Sequence, residues 1–316
     1  KELHKHEVDA SKMDEEWMTR PDIVLNYCLQ DAQIPLDILE AISAIPRKEA
    51  LAAVAKIPFE TAVNGTTSQW IDSLLIRLAD KSNVAIPRTK GNRTRENIEG
   101  GYVHDVKPGL STWIVVLDFK SMYPSIMIEN NICSTTRVEN DDVDVHTAPT
   151  GTKYLTKNSR VGLIPQILTK LMLQRDEYKL AMKTAEEEKN QLVYDFNDRL
   201  QSSVKILMNS FYGVFASSFY RFTHPDIGAS ITAWARHKIR AIIRSLTEEG
   251  HEVIYSDTDS IFVAVPMIKR PSPKADHTNQ KNLNWEKAKN TTISFGKELA
   301  KRFSNKNIHL EFEKGL

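Results

Sequence analysis

Cysteine is scarce in this chain. The two present, Cys28 and Cys133, have neither a metal-binding spacing nor the density of a disulfide framework, so a reducing, intracellular setting is the default. Surplus charge is lacking as well: 42 basic residues against 41 acidic ones leave a net charge of +1. Any attraction for nucleic acid must therefore come from local patches rather than from the molecule as a whole. No apolar run is long enough to span a bilayer, so no membrane partner is expected, and the opening KELHKHEVDA has no signal-peptide core. No internal repeat is visible. What is there is ordinary globular composition, 41% hydrophobic and 26% charged over 316 residues, enough for about two domains with a core. The charged opening and the strand-like close LEFEKGL read as the cut ends of a fragment.

Periodicity organises the chain. DIVLNYCLQDAQIPLDILEAISAI has apolar residues at helical spacing, with Pro35 as an interruption, and TSQWIDSLLIRLADKSNVAI is a second amphipathic helix. The polar, basic PRTKGNRTRENIEGG reads as a linker with a boundary near Gly101. Strand-like sequence runs from there to Asp118, and a polar loop through ENDDVDVHTAPTGTK. From Pro165 to about Ala216 the pattern is helical with a charged break at TAEEEKNQ, an αα-hairpin. SITAWARHKIRAIIRSLTEEG is another amphipathic helix stopped by Gly250. KRPSPKADHTNQKN reads as a surface insertion, WEKAKNTTISFGKELAKRF as a helix and NIHLEFEK as a closing strand.

Chemistry concentrates in HEVIYSDTDSIFVAV. Two β-prone runs, Val253–Tyr255 and Ile261–Val263, flank an Asp-Thr turn, which sets Asp257 and Asp259 two apart at the tip of a ribbon. Carboxylates held this way repel unless a cation sits beside them, and a hard divalent ion such as Mg²⁺ is the natural occupant. A second carboxylate, Asp118, ends the apolar run Trp113–Leu117 in TWIVVLDFKSMYPSI, at a strand exit where sheet-borne sites are built. Each has an ordinary explanation alone. The pair can be a solvated turn, and Asp118 can cap the adjoining turn or helix, with Ser121 and Ser125 as local hydrogen bonders. On the αα-hairpin, Arg175 and Lys179 share one helical face, and Lys205, Asn209 and Tyr212 fall at i, i+4 and i+7 on the other arm. Cations at such spacings commonly only solvate a helix. Here Lys205 and Asn209 flank Ile206, Leu207 and Met208, so that arm is no plain solvent face.

DFKSMYPSI, KILMNSFYG and YSDTDS, in that order and spacing, resemble motifs A, B and C of the family B (α-like) DNA polymerases, in an archaeal or eukaryote-like replicative style. YCLQD resembles the family's third exonuclease motif, EGGYV its link between exonuclease and polymerase parts, and LEFEK the strand after motif C. The resemblance implies an α+β fold: a polymerase palm, an antiparallel sheet with packed helices, plus a helical-hairpin fingers domain, preceded by the C-terminal end of a 3′–5′ exonuclease domain. Its expected parts are an exonuclease remnant over 1–45, connecting helices and linker over 46–100, palm over 101–160 and 217–316, and fingers over 161–216, with the thumb absent. DNA-templated addition of deoxynucleotides to a primer 3′-OH is the implied activity, with two Mg²⁺ ions (Mn²⁺ as a substitute) about 4 Å apart. Primer–template DNA and deoxynucleoside triphosphates are the implied partners, with a sliding clamp for the full-length protein. The implied location is cytoplasm or nucleoid in an archaeon, nucleus in a eukaryote.

Roles carry over residue by residue. Asp118 and Asp257 are the implied metal ligands, with Asp259 supporting them and Glu313 an accessory carboxylate whose rival is Glu311. Arg175 and Lys179 would meet the triphosphate, Lys205 would reach it and donate a proton to pyrophosphate, and Asn209 would position it. The peptide N–H groups of Ser121, Met122 and Tyr123 would form a phosphate nest. The Tyr123 ring would lie under the sugar and exclude a 2′-hydroxyl, while Tyr212 and Gly213 would floor the base pair. Two positions depart from the pattern: Ser256 replaces the usual glycine and Ile98 the usual tyrosine of the linker. Tyr27 and Asp31 remain from the exonuclease site, whose other motifs are absent, so no proofreading is expected. The alternative is an incomplete polymerase module, a fragment or split half inactive without its thumb partner. An RNA-making polymerase is a further alternative.

Overall fold

The computed structural model describes residues 8–88, 98–106, 109, 111–139, 144–217, 220–222, 224–266, 280–305 and 308–316, with side chains from 285 onward in helix 280–303. Most of the expected linker (89–97) and of the expected insertion (267–279) lies outside them. Among the described residues the helices are α1 (Met13–Thr19), α2 (Pro21–Ala41), α3 (Ala44–Ala55), α4 (Phe59–Asn64), α5 (Thr67–Lys81), α6 (Met122–Glu129), α7 (Leu163–Glu187), α8 (Gln191–Phe215), α9 (Pro225–Glu248) and α10 (Gln280–Phe303). The strands are β1 (Ile114–Phe119), β2 (Arg137–Val138), β3 (Val145–Thr147), β4 (Lys153–Leu155), β5 (Val253–Asp257), β6 (Ser260–Ala264) and β7 (Leu310–Gly315).

One sheet carries the apolar centre. Its strand order is β5-β6-β1-β7, with antiparallel pairing throughout. Val115, Val116, Leu117 and Phe119 of β1 are all buried, as a strand covered on both faces requires. Helix α10 packs on β1 and β7, and a Cβ at Gly296 would come within 2.2 Å of the Phe312 ring, so only glycine allows that approach. The α7–α8 pair is the longest helical contact, an antiparallel hairpin turned at 188–190, where Lys189 takes φ 56° and Asn190 caps α8 by accepting from the Val193 N–H at 3.3 Å. The base of the hairpin is buried through Leu163, Ile164, Leu168, Leu207, Phe211 and Phe215.

Four local expectations need correction. Pro35 does not interrupt α2: it lies inside the helix at an exposed position. Helix α3 runs across the expected boundary between residues 45 and 46. The polar loop after residue 139 contains β3 and the start of β4, which with β2 make a three-stranded sheet in the order β2-β4-β3, anchored by the buried Tyr154. Trp113 does not belong to β1: its φ is 61°, and it turns toward Trp285, with ring centroids 6.3 Å apart. No helix of the described residues is long and apolar enough to cross a membrane.

Candidate active site

Strand register gathers the carboxylates. Ser260 of β6 stands opposite Asp118 of β1 on one side and opposite Asp257 of β5 on the other, and its hydroxyl donates to Asp118 Oδ1 at 2.9 Å. Strands lie about 4.8 Å apart, so the backbones of Asp118 and Asp257 are separated by roughly two such spacings. Asp259 is nearer: its carbonyl accepts from the Phe119 N–H at 3.0 Å, the residue next to Asp118. On the other edge of β1, Asp118 pairs with Glu311 of β7.

The protonation behaviour reflects that geometry. Burial raises the Asp118 pKa above the usual carboxylate range. The Ser260 hydrogen bond opposes this, Glu313 and then Glu311 push it up further, and Lys205 pulls it down. Asp259 is likewise raised by burial first and then by Asp118, with Asp257 a smaller influence. Asp257 itself is exposed and accepts from the Thr258 hydroxyl at 2.9 Å. Of the two carboxylates at this turn, Asp259 is thus the more buried and the nearer to Asp118, and Asp257 the more exposed. Glu313 outweighs Glu311 in its influence on Asp118, although Glu311 is the one in register.

Cations face this edge from the helices. Burial, then Arg175 and Lys120, lowers the Lys179 pKa, and burial also pulls down that of Arg175, whose Nε donates to Gln201 Oε1 at 3.3 Å. Glu311 acts on both groups, which ties this cluster to the acidic edge. Lys120 is a member that the sequence pattern did not single out. It lies two residues beyond Asp118, donates its N–H to the His309 carbonyl and pairs with Asp176 at 3.3 Å. Its place inside DFKSMYPSI was the available signal. Lys205, Asn209 and Gly213 are exposed along one face of α8, and a Cβ on Gly213 would meet nothing within 4 Å, so that face opens on free space.

Beside the acidic turn lies an aromatic pair. The rings of Tyr123 (α6) and Tyr212 (α8) stack with centroids 4.4 Å apart and planes 26° apart. Burial, the second tyrosine and the nearby Asp259 push the Tyr123 phenol up to about 12, so it stays neutral in the physiological range. Arg236 of α9, also not singled out by the sequence, acts on both tyrosines in the opposite sense. Ser121 takes φ 52° and ψ 55° just before α6, and no side chain caps that N-terminus. Met122 contributes its peptide N–H there while its side chain is buried. Tyr27 and Asp31 are not brought to this site: they lie on α2, which packs chiefly on α1 and α3.

Among the described residues, no three acidic, histidine or cysteine side chains gather closely enough to hold a metal ion unaided. The donor set nevertheless fits Mg²⁺, which takes one or two carboxylates and completes its octahedron with water and substrate phosphate. Burial first, and neighbouring carboxylates second, raise the pKa values of Asp118 and Asp259, and a bound cation would offset both.

Residues 57–273 match the model of DNA polymerase family B. DNA polymerase 1 of Pyrococcus abyssi (strain GE5 / Orsay) is 30% identical over 277 residues, covering 85% of this chain and 35% of that protein. The DNA polymerase delta catalytic subunit of Caenorhabditis elegans is 31% identical over 273 residues, covering 81% of this chain and 25% of that protein. The chain thus spans about a third or less of the length of these relatives. The fold is similar to that of the family B DNA polymerase from the hyperthermophilic archaeon Pyrobaculum calidifontis, with a TM-score of 0.70 and 24% identity over 98% of this chain and 38% of that one. By its sequence blocks, its sheet and the match over most of its length, this chain belongs to DNA polymerase family B.

Proposed function

We propose that the protein adds deoxynucleotides to a primer 3′-OH on a DNA template, and that the four-stranded sheet is its palm and the α7–α8 hairpin its fingers. The observation that carries this reading is the meeting of two like-charged clusters: Asp118, Asp259, Glu313 and Glu311 along one edge, and Lys120, Arg175 and Lys179 within reach of it, with Lys205 close enough to act on Asp118. Each is self-repelling, and a metal-bound triphosphate neutralises both. When bound, divalent ions would neutralise charge at the attacking and leaving oxygens. Asp118 and Asp259 would hold them, with Glu313 as the accessory carboxylate and Asp257 supporting.

The chain's own groups do the rest. Arg175 presents a planar fork to phosphate oxygens, and Lys179 and Lys120 add charge. Lys205, near enough to Asp118 to affect its ionisation, would meet the triphosphate and give a proton to departing pyrophosphate. Asn209 positions the phosphates. The bare N-terminus of α6, at Ser121, Met122 and Tyr123, offers peptide N–H groups to them. The Tyr123–Tyr212 stack supports the sugar and nascent base pair, with Tyr123 excluding a 2′-hydroxyl and Gly213 leaving room beside it. Residues Tyr27 and Asp31 stand apart as part of an exonuclease segment, without a nuclease role in this chain. An intracellular location and a sliding clamp for the full-length protein belong to the same proposal.

The test is incorporation of one deoxynucleotide on a primed template by the full-length protein, wild type against Asp118→Asn. Loss of at least about 10³-fold is expected, on the scale of removing a group that holds transition-state charge. Activity within tenfold of wild type would sink the assignment.

A further inference from the structure

The segment 98–104 lies along α9 like a strap. A Cβ at Gly228 would come within 2.7 Å of Ile98 Cδ1, so glycine there lets the strap lie close. Two turns on, Arg236 donates through Nη1 to the carbonyls of Glu99 at 2.8 Å and Gly100 at 2.7 Å, and its Nη2 is 3.0 Å from the Glu99 carboxylate. One turn further, Arg240 stacks over the Tyr102 ring, 4.9 Å from its centroid. Gly228, Arg236 and Arg240 share one helical face, so helix and strap run in step.

The strap's other side meets the acidic turn. The Thr258 N–H donates to the Tyr102 carbonyl at 2.9 Å, the His104 N–H donates to the Ser256 carbonyl at 2.8 Å, and Val103 bridges Asp257. A Cβ at Gly101 would lie 2.7 Å from Thr258 Oγ1. Thr258, the middle of the turn, is held at φ 53°, a left-handed conformation costly for a β-branched residue unless its neighbours fix it.

We propose that Arg236 is a positioning residue: it clasps the strap against the open edge of β5 and thereby fixes the turn that aims Asp257 and Asp259. The inference rests on the polymerase reading for its kinetic consequence. It does not make Arg236 a group that touches substrate. An arginine suits the task because two carbonyls and a carboxylate need a forked donor, which a lysine cannot supply at once.

The experiment uses the full-length protein as wild type, Arg236→Ala, Arg236→Lys and Arg240→Ala, with two readouts. Amide hydrogen exchange reports the clasp without catalysis. Thr258 and His104 should exchange at least about tenfold faster in Arg236→Ala, while Val116 and Phe262 in the sheet centre stay protected. In primer extension, kcat should fall about tenfold or more with the deoxynucleotide KM changed less than threefold, because turn geometry rather than triphosphate contact is lost. Arg236→Lys should recover both readouts partly and together. Arg240→Ala, at an exposed position, should loosen both more mildly, and it carries the test if Arg236→Ala does not fold. Lost activity with Thr258 still protected would overturn the proposal, as would a loosened strap with unchanged kcat. If the wild type fails to extend primers the polymerase reading falls, and the exchange measurements alone then decide the clasp.

Discussion

The acidic edge and the cationic face of this molecule are built on different principles. Asp118 and Asp259 sit beside paired strands whose neighbouring residues, Leu117 and Ile261, are fully buried, so backbone pairing sets their separation. Arg175, Lys179 and Lys205 stand on two long helices whose outer portions are largely exposed, and their side chains are long. The carboxylates thus owe their place to rigidity and the cations to reach. The acidic edge should therefore tolerate almost no change, while the cationic face should lose function by degrees.

The largest effects should break the site at its rigid side. Asp118→Asn and Asp259→Asn should each lower single-nucleotide incorporation by at least about 10³-fold, and Asp257→Asn by distinctly less. A larger loss at Asp257 than at Asp259 would return the two to the order read from sequence, and equal losses would contradict a division of roles. Leu117→Ala, beneath Asp118, should destabilise the fold by about 2–5 kcal/mol in denaturant unfolding. A loss below about 1 kcal/mol would mean that the sheet relaxes around the gap and is less rigid than its burial implies.

On the flexible side, Lys205→Ala and Arg175→Ala should each lower kcat/KM for the incoming nucleotide by about 10- to 100-fold, with DNA affinity within about twofold. Comparable loss of DNA binding would move these cations from triphosphate to template.

The smallest effect is a pH signature of the acidic edge. Asp118 and Asp259 have folded-state pKa values above their unfolded ones, so the native state holds protons more tightly. Stability from this source is present at low pH and is lost as pH rises from about 4 through the folded values. In chelator, Asp259→Asn should therefore melt above wild type at about pH 7, and the gap should close toward about pH 4. Added Mg²⁺ should reverse the order by stabilising wild type alone. A gap that widens on acidification would contradict charge repulsion at this edge.

Local elements and their faces were legible in the residues alone. The β5–β6 ribbon is written in its β-prone runs and Asp-Thr turn, the α7–α8 hairpin in long helical periodicity broken at TAEEEKNQ, and the exposed Lys205 and Asn209 in helical spacing, whereas Tyr212, read onto the same face, is half-buried against Tyr123. Tertiary packing chose which carboxylate lies beside Asp118, brought Lys120 among the cations, and set Arg236 to hold the strap on the turn. Helical and extended periods are properties of neighbouring residues. The pairing of β1 with β6, across more than a hundred residues, depends on which buried faces pack together, and no local spacing encodes that choice.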